Sequence, residues 1–251
     1  MTSEFKDSMG SKIIHKVASS PAYPFDNFKY SGTDSALMRE AHNQDNHIMV
    51  GRVDGETVFD QGDWERMIET VPDVGGVLAY GDSWDPDSQE PELDLQNSER
   101  IQTAYNIAYA KGFEPVYIMP EQMENGMPHP DNSIEDYGIS AAPSNVMDTE
   151  METRFGLENI EGTSVFVASR PHAMRAARDT EERVENENYL MIGAPILDDK
   201  EDFEEMINVN EALGSIPEGL KTRMSAKKMY SEGKVEGLDD LIETYRKRRS
   251  F

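Results

Sequence analysis

The chain has 251 residues, enough for one large domain with appendages. Its 49 Asp and Glu against 24 Lys and Arg give a formal net charge of -25, which repels nucleic acid and anionic membranes at a distance. It has no cysteine, which excludes disulfides, thiolate catalysis and cysteine metal sites, and no apolar run approaches the ~20 residues of a membrane span.

The N-terminal "MTSEFKDSMGSK" lacks a signal-peptide apolar core, so export by a visible signal is not expected. Residues 1–32 hold one apolar burst, "KIIHKVA", followed by "SSPAYPFDNFKYSG". That second stretch is rich in proline, aromatic and turn residues and reads as an extended arm. "TDSALMREAHNQD" (33–45) predicts a helix, with Thr33 or Asp34 as cap and Leu37, Met38 and Ala41 on one face. In "HIMVGRVDGETVF" (47–59), Asp54-Gly55 between two β-prone runs predicts a hairpin. "DWERMIETV" (63–71) predicts a short amphipathic helix and "GGVLAYG" (75–81) a compact apolar strand. An acidic loop follows over 82–94. The next helix is capped by Asn97 or Ser98, faces inward through Ile101, Ala104, Tyr105 and Ala108, and stops at Gly112. "EPVYIMP" (114–120) predicts a strand. The segment 121–150, with Pro128, Pro130 and Pro143, predicts a long irregular excursion.

"TSVFVASR" (163–170) predicts another apolar strand, and "PHAMRAARDTEERVEN" (171–186) a helix with proline at its first position. "YLMIGAPIL" (189–197) is strand-like, and "DKEDFEEMINVNEALG" (199–214) predicts an acidic helix ending at Gly214. The last segment is helical with two glycine interruptions. Residues 221–251 carry nine Lys and Arg against five Asp and Glu, a basic tail on an acidic body. The expected fold class is α+β or α/β, a mixed sheet flanked by helices. Its division is an extended arm (1–32), a core domain (33–214) and a basic helical C-terminal segment (215–251).

Catalytic signatures are sparse. The histidines are His15, His42, His47, His129 and His172, none in HExxH or paired-ligand spacing. His42 and His47 flank "NQDN", but a spacing of five is poor for one helical face, so capping or surface roles are favoured over a metal site. "YGDS" (80–83) has a serine after a strand without the GxSxG elbow. Asp82, Asp85 and Asp87 alternate like part of a calcium loop but lack its central glycine and terminal glutamate. GxGxxG and GxxxxGK[ST] are both absent. No catalytic residue, metal ligand or cofactor is therefore assigned, and a non-enzymatic role is favoured.

Two resemblances go further. "GGVLAYGDSWDPDS" together with "NSERIQTAYNIAYAKGFEPVYIMPE" resembles nucleoside deoxyribosyltransferase-like enzymes over about 50 residues. That likeness implies an α/β enzyme acting on nucleosides or nucleotides. The family's nucleophilic glutamate falls about two turns before the helix-ending glycine. The matching position here is near Ala104, and the helix offers only Glu99 at its start.

"SALMREAHNQDNHIMVG", "ERIQTAYNIAYAKGFEPVYIMPEQMENG", "NIEGTSVFVASRP" and "ENYLMIGAPI" resemble the helix and strand segments of encapsulins and tailed-phage major capsid proteins. This likeness implies a self-assembling structural protein, a virion or shell component, located in the virion or the host cytoplasm. The acidic composition extends the expectation to a salt-loving system. Assembly contacts are expected from the arm, at Pro21, Tyr23, Phe25, Phe28 and Tyr30, and from the tail, at Arg246, Lys247, Arg248 and Arg249. The expected partners are further copies of the chain or other assembly proteins. No membrane is involved, and nucleic acid is reached only through the basic C-terminal segment. A soluble interaction protein is the remaining class.

Overall fold

The computed structural model describes residues 30–69, 74–81, 91–112, 116–118, 139–141, 149–181, 184, 187–195, 200–214 and 243. The first elements are helix α1 (Gly32–Asn43) and the hairpin of β1 (His47–Val53) and β2 (Glu56–Gly62). Val53 pairs directly with Glu56, and Asp54 and Gly55 both have positive φ, 52° and 80°. That is the two-residue turn whose twist suits antiparallel strands, and Asp54 and Gly55 are residue types that accept it.

Helix α2 (Trp64–Glu69), strand β3 (Val74–Ala79), helix α3 (Pro91–Lys111) and strand β4 (Val116–Ile118) follow. Helix α3 begins at Pro91, well before the caps expected at Asn97 or Ser98. Proline at the first helical position gives up no hydrogen bond, which lets the helix extend into the acidic stretch. Gly112 ends it with φ 66°. The segment expected to be irregular contains strand β5 (Ile139–Ala141) and, at its end, the start of helix α4 (Thr149–Asn159). Strand β6 (Thr163–Ser169), helix α5 (Arg170–Glu181), strand β7 (Tyr189–Ala194) and helix α6 (Lys200–Gly214) complete the described elements.

The strands form a mixed seven-stranded sheet in the order β2-β1-β7-β6-β3-β4-β5, flanked by helices, the expected fold class. The five strands from β7 to β5 are parallel, and the β1–β2 hairpin adds antiparallel to β7. All seven residues of β6 are buried, as a central parallel strand covered on both faces requires. On one face, Leu78, Phe166 and Met191 pack with Ala173, Met174 and Ala177 of α5. On the other, Val77, Val167 and Ile192 pack with Ile101, Ala104 and Ala108 of α3. Enclosing a side chain such as Phe166 contributes roughly 1.5–3 kcal/mol by removal of apolar surface from water. Right-handed crossovers explain the two faces. The chain moves from β3 to β4 in one direction along the sheet and from β6 to β7 in the other, so α3 and α5 cover opposite sides.

Helix α1 is fastened to α5 and α6 by polar groups. Asp34 and Arg178 form a fully buried ion pair at 2.8 Å, and Arg39 makes a bidentate contact with Glu204. Glu181 bonds Arg52 of β1 and accepts a 2.7 Å hydrogen bond from the Tyr189 hydroxyl. Among the described residues no helix is long and apolar enough to cross a membrane.

Candidate functional site

In chain order the parallel strands are β3, β4, β5, β6 and β7, yet in space β3 stands at the centre, with β4 and β5 on one side and β6 and β7 on the other. The connections after β3 and after β6 therefore part toward opposite faces. In open α/β sheets such a parting makes a crevice outside the carboxyl ends of the two strands, and ligands bind there. Tyr80 and Gly81 follow β3, while Ser169 ends β6 and α5 starts at Arg170. Ala79 pairs with Val167, and the Tyr80 amide donates to the Val167 carbonyl at 2.9 Å, so Gly81 and Ser169 lie about opposite one another.

Basic residues from two helices converge here. Arg100 of α3 is 1% exposed, and its Nη1 donates to the Tyr80 carbonyl at 3.2 Å. Arg175 of α5 donates to Asn210 Oδ1 at 2.7 Å, to Asp179 Oδ2 at 3.2 Å and to Thr149 Oγ1 at 3.4 Å. His172 stands one turn earlier on α5, with Nε2 3.1 Å from Thr149 Oγ1 and its ring 5.1 Å from that of Tyr80. Burial, with Arg175 and Arg100 close by, pushes the imidazole well below its ordinary range, so it is neutral at physiological pH. The Tyr80 hydroxyl donates to Thr153 Oγ1 at 2.6 Å, and Thr153 donates on to the Thr149 carbonyl at 2.6 Å. Burial raises the Tyr80 phenol far above its usual range. Among the described residues, the carboxylates near Tyr80 include Glu152 of α4, 5% exposed, and Asp179, bound to Arg175.

Ser169 completes the crevice. It is 1% exposed and occupies the position before α5 where a capping serine stands, yet its Oγ has no hydrogen-bond partner among the described residues. Val165 and Val167 pack on the α3 side of the sheet and Phe166 and Ala168 on the α5 side, so alternation turns Ser169 toward α3 and Arg100. Between α4 and α5 lies a groove of about 240 Å³ that runs from Thr149 and Thr153 past Leu157 and Ala176 to Thr180 and Glu187, near the amino end of β7.

The residues singled out from sequence fall elsewhere. Tyr30 is buried in the chain's own core, where Ser35 Oγ donates to its hydroxyl at 3.4 Å. Pro21, Tyr23, Phe25, Phe28, Arg246, Lys247, Arg248 and Arg249, with the acidic residues Asp82, Asp85 and Asp87, lie outside the described residues. His42 stacks on Phe203 with ring centroids 4.0 Å apart and accepts from Arg170 Nη1 at 3.2 Å. Burial and the Arg170 charge push His47 down to about 4. No cluster of three metal-ligating side chains exists among the described residues. Ala104, where the deoxyribosyltransferase-like pattern has its nucleophile, is fully buried in the apolar core, and Glu99 is exposed. Sequence reading missed Arg100, Ser169, His172 and Arg175 as a group. For Ser169, His172 and Arg175 the signal was "SRPHAMRAAR", a Ser-Arg-Pro junction after an apolar strand with polar residues on an otherwise buried helix. Compared with protein-family models, curated proteins and solved structures, the chain matches none.

Proposed function

We propose that this chain binds a nucleoside or nucleotide in the crevice between the carboxyl ends of β3 and β6. The observation that carries the reading is the reversal of strand order at that point, with buried Arg100 and Ser169 beside it. Buried cations beside a neutral imidazole suit an anionic or hydrogen-bonding ligand better than an apolar one. The role proposed is binding and not glycosyl transfer, because Ala104 offers a methyl group where that chemistry needs a carboxylate. For the alternative, a self-assembling shell component, the expected contact residues lie outside the described residues, apart from Tyr30, which is buried in the chain's own core.

The test is isothermal titration calorimetry of the full chain against the common nucleosides and their 5′-monophosphates. Saturable binding of at least one ligand is expected, and it is weakened by Arg100→Met in a variant whose circular dichroism matches the parent. Absence of heat for every nucleoside and nucleotide at millimolar concentration overturns the proposal.

A further inference from the structure

The nucleotide reading leaves open which part of the ligand the crevice grips, and three features at the end of β6 bear on that. The first is Ser169, whose enclosed hydroxyl makes no hydrogen bond among the described residues. A buried hydroxyl without a partner is costly, and serines at the residue before a helix ordinarily cap it. The second is helix α5 itself, which starts at Arg170, runs for 12 residues and points its N-terminus at the crevice. First-turn amides lack intrahelical acceptors, and the helix dipole adds positive potential there. Pro171 has no amide N–H, so an anion here meets the amides of the other first-turn residues, and the Ser169 hydroxyl adds one more donor. The third is the Arg100 guanidinium, 3.2 Å from the Tyr80 carbonyl on the adjoining strand and as fully enclosed as Ser169.

We infer that this corner is a phosphate subsite: the Ser169 hydroxyl, the first turn of α5 and Arg100 together take the phosphate monoester of a nucleoside monophosphate. The inference rests on the nucleotide reading and adds to it a polarity for the ligand. The phosphate lies at the end of β6 and the start of α5, and the base and sugar extend away from the sheet. The chain has no glycine-rich phosphate loop after β3. The second strand-to-helix junction, with its serine, does that work instead.

Asp179 is occupied by Arg175, and Glu152 stands on α4 beside Tyr80, on the opposite side of the sheet from the Ser169 hydroxyl. His172 faces Arg175 from its own helix, Arg100 from α3, Thr149 from α4 and the Tyr80 ring after β3. It therefore senses any anion that offsets those two guanidinium charges.

The experiment compares a 5′-monophosphate, its nucleoside and inorganic phosphate as ligands of the full chain and of Ser169→Ala, by calorimetry and by following the His172 ring resonance through a pH titration. The monophosphate is expected to bind roughly tenfold or more tightly than the nucleoside, the advantage of a charge-assisted hydrogen bond. Inorganic phosphate competes with it, and Ser169→Ala cuts the monophosphate-to-nucleoside affinity ratio about tenfold. Thermal stability should be unchanged or higher, since the variant deletes a hydroxyl that has no partner. Bound monophosphate also shifts the His172 titration upward, less so in Ser169→Ala. Equal affinity for nucleotide and nucleoside, with no competition by phosphate and no effect of Ser169→Ala, overturns the phosphate subsite and leaves nucleotide binding standing. Absence of binding by all three ligands overturns both.

Discussion

Asp34 and Arg178 are both enclosed, 0% and 3% exposed, and 2.8 Å apart. Asp34 also accepts from the Ser31 amide at 2.9 Å, so one carboxylate caps α1 and ties it to α5. Asp34→Ala leaves a buried guanidinium without its counter-charge and should destabilise the protein by about 3–5 kcal/mol in urea denaturation. The pair replaced together, Asp34→Ala with Arg178→Met, should recover much of that loss. If the double variant is as unstable as the sum of two singles, the pair is not acting as an isolated unit.

His47 supplies a pH prediction. Its folded pKa is about 4 against an ordinary 6.5, lowered first by burial and then by Arg170. The unfolded chain binds the extra proton between these values, so this contribution is complete above pH 6.5 and is lost as pH falls toward 4. His172 acts in the same direction. Urea titrations of His47→Gln should show a shallower decline across that window than the parent. Parallel curves would exclude His47 as a source of the acid sensitivity.

At the scale of elements, β3 and β6 meet at a register irregularity between Val74 and Gly76. A Cβ on the intervening Gly75 would run into the Glu161 carbonyl. Backbone cannot yield as a flexible side chain can, so Gly75→Ala should cost about 1–3 kcal/mol or more, measured as a lower urea midpoint. A midpoint equal to the parent's would mean the β6 entry loop can move aside. The same element pair shows what was readable beforehand. Long apolar runs such as "TSVFVASR" announce a buried parallel strand because both faces demand it, and Asp54-Gly55 announces its hairpin through backbone sterics alone. Strand β5 has three residues in a proline-punctuated stretch, too short for a period to register. Helix α4 carries Gly156 in its interior, against helix propensity, because any larger residue would strike the Phe166 ring. The crevice was least readable of all. Arg100 and Ser169 look like ordinary surface residues in sequence, and only the folded topology brings them to one strand end.

At the scale of the whole molecule, a charge of -25 opposes compaction. The screening length falls from about 10 Å at 0.1 M salt to about 3 Å at 1 M. The thermal midpoint should therefore rise steadily with added potassium chloride, as followed by calorimetry, and a flat profile would refute the repulsion account. The order of the sheet has a further consequence, for synthesis. The β1–β2 hairpin is complete by Gly62, but the edge it docks on, β7, begins at Tyr189. A lone hairpin is at best marginally stable, and ribosomes add roughly 5–20 residues per second. For on the order of ten seconds, each nascent chain carries strands whose neighbour does not yet exist, with Ile48 and Val50 bare to the cytosol of whatever cell makes it.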